Sequence, residues 1–282
     1  MKNTPTTTRE LWKGKAGGAW AELWRLTDQM LAPFVGHLLE TLPADFPGRV
    51  LDIGCGAGAT TIAAAHRLPH PEHCVGLDLS EPMLQVARRR AQESDLSLTF
   101  LQGDAQTYAF EGQLFDRLIS RFGVMFFADP VQAFRNLAGA SAAGGEIRFL
   151  AWRSPEENPF MTQAQRAAQP LVPEMPQRRD GSVGQFAFAD ENHVRNILQS
   201  SGWTQISIKP LDVSLQIRWD DLELFVTTLG PLGLVYDGIE QSRKAKVLEA
   251  VTSAFLPYRQ GSELLFRAAC WTVDASKEKQ SS

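Results

Sequence analysis

An α/β fold, with a parallel sheet covered by helices on both faces, is what this sequence predicts, and three observations carry it. Short apolar runs alternate with helical patterns from about residue 49 to residue 152. The run Val50-Leu-Asp-Ile leads into Gly54-Cys-Gly-Ala-Gly, and an Ala-rich helix-forming stretch, 59–68, follows at once. Acidic residues stand at the ends of the first three strands of this run: Asp52, Asp78 and Asp104.

The elements follow in order. Leu11 to Glu40 is helical in pattern: Trp12, Trp20, Leu23, Trp24, Leu31, Phe34, Leu38 and Leu39 recur on its faces. Gly14, Gly17 and Gly18 interrupt its start, and Pro43 and Pro47 end it. Strand Arg49–Ile53 leads to helix Thr60–Arg67, and strand Cys74–Asp78 to helix Pro82–Glu93. Strands Leu98–Gln102 and Phe115–Ser120, helix Asp129–Leu137 and strand Gly145–Trp152 complete the run. Five prolines then break residues 153–188 into short pieces, ahead of a polar stretch from Asp180 to Gly184, and so irregular a segment reads as a lid. Asp190 is placed to cap a helix over Ala189–Gly202. Strand Gln205–Ile217, a helical stretch near 220–258 and a last strand, Leu264–Val273, follow; the polar tail is expected to fray.

Bulk properties exclude several functions. The chain has 282 residues, and 28 Lys+Arg against 32 Asp+Glu leave a net charge of −4. That is not the basic surface a general nucleic-acid binder needs. Cys55, Cys74 and Cys270 form neither a CxxC pair nor an even disulfide framework, which points to a reducing, cytoplasmic setting. No apolar stretch approaches the roughly 18–20 residues of a spanning helix. Expected partners are therefore a small-molecule substrate, with no nucleic acid and no membrane span; the monomer and the homodimer both stay open.

The chemistry lies at the strand ends, where open α/β sheets bind ligands. Gly54, Gly56 and Gly58 allow a tight loop whose backbone N–H groups are expected to face a ligand. Asp78 is placed to accept both hydroxyls of a ribose. Asp104, in Gln102-Gly-Asp-Ala, is placed to accept an exocyclic amine of a base. Asp52 does not suit pyrophosphate but suits an ammonium group. Ribose, adenine and amino acid together describe S-adenosyl-L-methionine better than a dinucleotide.

On these residues the chain resembles the class I S-adenosylmethionine-dependent methyltransferases, within them the UbiE-like small-molecule group. Val50-Leu-Asp-Ile-Gly-Cys-Gly-Ala-Gly, Gly76-Leu-Asp-Leu-Ser-Glu-Pro-Met-Leu, Gln102-Gly-Asp-Ala and Phe115-Asp-Arg-Leu-Ile-Ser-Arg-Phe carry the resemblance. It implies a doubly wound, seven-stranded Rossmann-like methyltransferase sheet, last strand antiparallel, with helical lid insertions. It also implies that Gly54 and Gly56 touch the methionine part of the cofactor, and Asp78 and Leu79 the ribose. Met83 would pack on the adenine, Gly103, Asp104 and Ala105 would meet its edge, Ser120 would face the methionine end, and Trp20 or Trp12 would cover the cofactor. The implied organisation is an N-terminal helical cap (1–44), a cofactor-binding core (45–152), a lid insertion (153–188), core continued (189–219), a second helical insertion (220–260), a last core strand (261–275) and a disordered tail (276–282).

Other readings compete at particular residues. Gly54, Gly56 and Ala59 also fit G-x-G-x-x-A, the dinucleotide pattern, against which Asp52 and Gln102-Gly-Asp-Ala weigh. His66, His70 and His73 beside Cys74 read as a surface loop rather than a metal site. His37 and His193 read as packing or surface residues, and Cys55 as a small residue in the loop. Arg121 follows the fourth strand, where it would bind an anionic group of the substrate or pair with a nearby acid. Trp24, Arg121, Phe122, Met125 and Trp152 are the candidate substrate contacts; no catalytic residue stands out. Methyl transfer from a sulfonium needs positioning and exclusion of water more than a base. Ser120-Arg-Phe-Gly stands where amino-methylating relatives carry Asn/Asp-Pro-Pro-Tyr/Phe. The expected activity is transfer of a methyl group to O, N or C of a small, partly apolar metabolite, releasing S-adenosyl-L-homocysteine. A silent cofactor-binding regulatory or partner protein is the alternative.

Overall fold

The structure, a computed structural model, describes residues 8–176 and 183–278. Of the residues singled out above, Asp180 and the end of the tail, 279–282, lie outside it. Three helices come first: α1 (Thr8–Lys13), α2 (Lys15–Glu22) and α3 (Trp24–Leu39). The single helical stretch read from the pattern is thus broken at Gly14 and Leu23. The core follows as β1 (Val50–Ile53), α4 (Ala59–Arg67), β2 (Cys74–Asp78), α5 (Glu81–Glu93), β3 (Thr99–Gln102), β4 (Phe115–Arg121), α6 (Pro130–Ala140) and β5 (Ser141–Trp152). Then come α7 (Phe160–Ala168), α8 (Glu191–Ser200), β6 (Thr204–Arg218), α9 (Leu222–Thr228), α10 (Gly230–Val235), α11 (Gln241–Phe255), β7 (Arg259–Gln260) and β8 (Glu263–Ser276).

The strands form one sheet in the order β3-β2-β1-β4-β5-β8-β6. β1 pairs in parallel with β2 and β4, and β8 runs antiparallel between β5 and β6. This is the expected seven-stranded order, with the two-residue β7 added beside β8. All four residues of β1 are buried, as a central strand covered on both faces requires. β8 is longer than expected: Ser276 still pairs with Glu146, and Lys277 donates its N–H to Gly145 O and its Nζ to Ser141 O. Asp190 caps α8, accepting from the N–H groups of Asn192 and His193 at 2.7 and 3.1 Å.

Strand order reverses between β1 and β4, and this opens the crevice that holds the site. The ends of the two strands are fastened together there. Ser120 Oγ donates to Ile53 O at 2.7 Å and accepts from Gly123 N–H at 3.1 Å. Gly54 and Gly123 meet backbone to backbone; a Cβ on Gly54 would stand 2.7 Å from the Cα of Gly123. Gly54 has φ +67, so it is fixed by conformation and by contact.

One buried polar side chain holds the far side. β5 stops pairing with β8 at Trp152–Cys270; Ala269 O still accepts from Arg153 N–H at 3.0 Å, but the N–H of Ala269 must be satisfied otherwise. Asn158, fully buried, accepts from Ala269 N–H and donates to Ala269 O, each at 2.9 Å. Asn158→Ala strands the buried N–H of Ala269, at roughly 1–3 kcal/mol, while Ala269 O keeps the N–H of Arg153. Urea unfolding should show a loss of about 2 kcal/mol; a loss within the noise of a surface mutation would show that Asn158 does not carry this junction.

Candidate cofactor and acceptor site

A cavity of about 1100 Å³ opens at the carboxyl ends of β1, β2 and β4. Ligand pockets are typically roughly 300–1,000 Å³, so the cavity lies at the large end of that range. It brings together most of the residues read from the sequence: Trp20, Asp52, Gly54, Gly56, Asp78, Leu79, Met83, Gly103, Asp104, Ala105, Arg121, Phe122, Met125 and Trp152.

The glycine loop differs from expectation in one respect. Four of its N–H groups are not free: those of Gly54 and Cys55 donate to Leu77 O at 2.8 and 3.2 Å, that of Gly56 to Asp78 Oδ2 at 2.8 Å, and that of Gly58 to Cys55 O at 2.9 Å. The adjacent end of β2 draws these donors inward. The loop therefore presents a close, inert backbone surface rather than a phosphate cradle, which argues against pyrophosphate more directly than Asp52 does.

Each acid has its own setting. Asp78 accepts from Gly56 N–H and Ser80 N–H, both at 2.8 Å. Burial raises its pKa above the usual carboxylate value, against the pull of those N–H groups. Asp104 accepts from Gln106 N–H at 3.0 Å and from Gln106 Nε2, and it pairs with Arg9, which no sequence pattern singled out. Asp52 is buried and accepts from Thr61 Oγ1 at 2.6 Å. Burial pushes its pKa up to about 6, while Thr61 and the positive charge of Arg121 pull the other way.

Two placements depart from the sequence reading, and a third falls to one of its two alternatives. Ser120 does not line the cavity; it is buried, with its hydroxyl spent on the β1–β4 junction. Trp24 also lies outside the cavity, stacked under the guanidinium of Arg90 at 4.2 Å. Arg121 lines the cavity but is already paired, with Asp28 of α3 at 3.1 Å. The second oxygen of Asp28 stands 2.7 Å from Arg90, which also donates to Ala57 O. Asp28 was missed; its signal is a carboxylate one turn beyond Trp24 on a helix that otherwise buries Thr27, Met30, Leu31 and Phe34.

The other half of the cavity is apolar. Phe122 and Trp152 stack at 4.2 Å with 7° between their planes, and Phe34 meets both edge-on. Phe122 reaches this position with φ +64, unusual for a bulky side chain and held by its N–H bond to Leu150 O. Met161, Phe225, Leu229 and Leu232 line the remaining wall. Among the described lining residues there is no histidine and no tyrosine. Burial raises the pKa of the Cys55 thiol well above its ordinary value, which leaves it a poor nucleophile.

A family model described as a methyltransferase domain matches residues 50–145. The demethylmenaquinone methyltransferase of Thermus thermophilus is 31% identical over 146 residues, covering 52% of this chain and 66% of that protein. The aklanonic acid methyltransferase DauC of a Streptomyces species is 30% identical over 150 residues, covering 50% of this chain and 68% of that protein. A solved structure of a Haemonchus contortus phosphoethanolamine N-methyltransferase, holding S-adenosylhomocysteine, superposes with a TM-score of 0.60 at 18% identity, over 97% of this chain and 61% of that one.

The setting of Asp52 predicts a stability cost. Its folded pKa of about 6 lies above its ordinary 3.8. The group therefore favours folding most below its unfolded pKa and loses that contribution as pH rises through 6. At about 1.4 kcal/mol per unit, the ionised form costs about 3 kcal/mol at neutral pH. Asp52→Asn should raise the melting temperature at pH 8 and have little effect at pH 3, below the unfolded pKa. Equal effects at the two pH values would show that Asp52 titrates as an ordinary carboxylate.

Proposed function

We propose that this chain, which belongs to the class I S-adenosylmethionine-dependent methyltransferases of the UbiE-like small-molecule group, methylates an acidic oxygen or a stabilised carbanion on a largely apolar small molecule. One observation carries the reading: the acids of the cofactor end and the aromatic wall share a single cavity, whose described lining has no imidazole or phenol and whose buried carboxylates, Asp52 included, gather at the cofactor end rather than along the aromatic wall. A phenol or enol ionises with little help, whereas an alcohol or a protonated amine needs a base in place. The donor is S-adenosyl-L-methionine, whose sulfonium supplies the driving force. The protein's own work is then to hold, orient and keep dry. The demethylmenaquinone and aklanonic acid named for two relatives support a small-molecule acceptor.

The cofactor fits the residues present. In this reading Asp78 accepts from the ribose hydroxyls with lone pairs not used by Gly56 and Ser80, and Leu79 lies beside the same ring. Asp104 accepts the adenine amine, with Gly103 and Ala105 at the edge and Met83 against the face. Gly54 and Gly56 admit the methionine chain to the backbone. Asp28 and Arg121, with Asp52 behind them, offer opposite charges to the ammonium and carboxylate of the amino acid. Trp20 covers the site from α2, and Phe122, Met125 and Trp152 meet the acceptor. Phe160, Met161, Phe186, Phe225 and Leu232, from the two segments read from the sequence as lids, shape the acceptor end of the cavity.

Two measurements test this. Asp78→Ala should weaken S-adenosylhomocysteine binding in calorimetry by at least about tenfold, since a charged acceptor is lost; unchanged affinity would remove Asp78 from the ribose site. Arg121→Met should weaken S-adenosylhomocysteine but spare 5′-deoxy-5′-methylthioadenosine, which lacks the amino acid; equal losses would place Arg121 elsewhere. For the acceptor, radiolabelled cofactor should pass its methyl group to naphthols, hydroxyquinones or β-dicarbonyl compounds. Transfer to matched primary amines alone would overturn the assignment of the acceptor atom.

A further inference from the structure

At the end of the sheet opposite the cavity, the loop between α4 and β2 reads Leu68-Pro-His-Pro-Glu-His-Cys. Cys74 opens β2 and Asp78 closes it, so the strand's length separates this loop from the cofactor end. Residues Pro71–His73 form one turn of 3₁₀ helix, closed by His73 N–H donating to His70 O at 3.0 Å. In that geometry side chains three positions apart eclipse one another. The imidazoles of His70 and His73 accordingly face each other, with ring centroids 4.9 Å apart. Pro69 and Pro71 flank His70 and restrict the backbone that presents it.

We propose that His70, Glu72 and His73 form a binding site for a divalent transition-metal ion, with zinc as the best fit. Each of the three offers a ligand atom, and these atoms all lie within 4.8 Å of one another. Two imidazoles and a carboxylate are the ligand types zinc takes, water completing the tetrahedron. Zinc bonds of roughly 2.0–2.1 Å set tetrahedral ligands about 3.3 Å apart, so the widest pair must close by about 1.5 Å. His70 and Glu72 are exposed, free to rotate that far and open to an entering ion.

A second observation concerns orientation. His73 Nδ1 lies 3.0 Å from Pro47 O, in the segment before β1. Donation to that carbonyl fixes the tautomer and leaves Nε2 with its lone pair outward, the arrangement by which backbone carbonyls orient metal-binding histidines. His70 Nδ1 stands 3.4 Å from Glu72 Oε1, so two of the ligand groups are already neighbours. A bound ion would tie the α4–β2 loop to itself and, through His73, to the lead-in of β1. It would act on stability rather than on the reaction.

The test is calorimetric titration of the full chain with zinc chloride in a non-chelating buffer, with magnesium chloride as a control. One zinc ion per chain is expected and no magnesium. His70→Ala, His73→Ala and Glu72→Gln should each weaken zinc binding by about tenfold or more, a loss of the size that even outer-shell changes cause, while His193→Ala should not. Zinc at about a hundredfold over its dissociation constant should raise the melting temperature by about 5 °C, and this rise should vanish in His73→Ala. Copper(II) in place of zinc should show hyperfine coupling to two nitrogens, reduced to one in His70→Ala. Zinc affinity unchanged by all three substitutions, or equally changed by His193→Ala, would overturn the site. S-adenosylhomocysteine affinity retained in the variants would show that each is folded.

Discussion

The contact between Gly54 and Gly123 is the constraint around which the site is built. It sets the spacing of β1 and β4 where strand order reverses, and so the width of the crevice between them. Ser120 reinforces it from within, donating to β1 and accepting from the turn that follows β4. Any side chain on either glycine would part the strands. The turn also sends Phe122 into left-handed backbone and lays its ring flat on Trp152. The close approach that seats the cofactor loop thus also places the first wall of the cavity's apolar half.

The charges around this junction follow from burial. Four aspartates line the cavity's polar half and its rim, and each has a different partner: Thr61 for Asp52, backbone N–H groups for Asp78, arginines for Asp28 and Arg9 with Gln106 for Asp104. Removing one partner from a buried pair costs more than the pair gains. The Arg90–Asp28–Arg121 chain therefore fixes α3 against α5 and β4 as well as lining the cavity.

Much of this was legible in the sequence, because parallel strands and their ends have strong local signatures. The buried run Val50–Ile53, the positive-φ glycines after it and the acids at 78 and 104 are local features, and the structure brings them together. What escaped depends on distant partners. That Leu77 O takes the amides of Gly54 and Cys55 follows from the register of β1 on β2, which no spacing in the loop reveals. Arg9 reaches Asp104 across 95 positions, and the pairing of Arg121 with Asp28 spans 93. The resemblance placed Ser120 at the methionine end of the cofactor; its hydroxyl turned inward because Ile53 O, at the end of β1, lay within reach.

Arg9 gives the cavity one further property. Its guanidinium rests on the carboxylate of Asp104, the acceptor expected to meet the adenine amine. If Asp104 takes the adenine amine as proposed, cofactor entry is an exchange, one donor leaving as another arrives, and its observed affinity is the difference between two contacts. Arg9 is half exposed whereas Asp104 is buried, so dissolved salt weakens the outgoing partner more than the incoming one. Ionic strength, which usually loosens charged complexes, here lightens the competition the nucleoside must overcome.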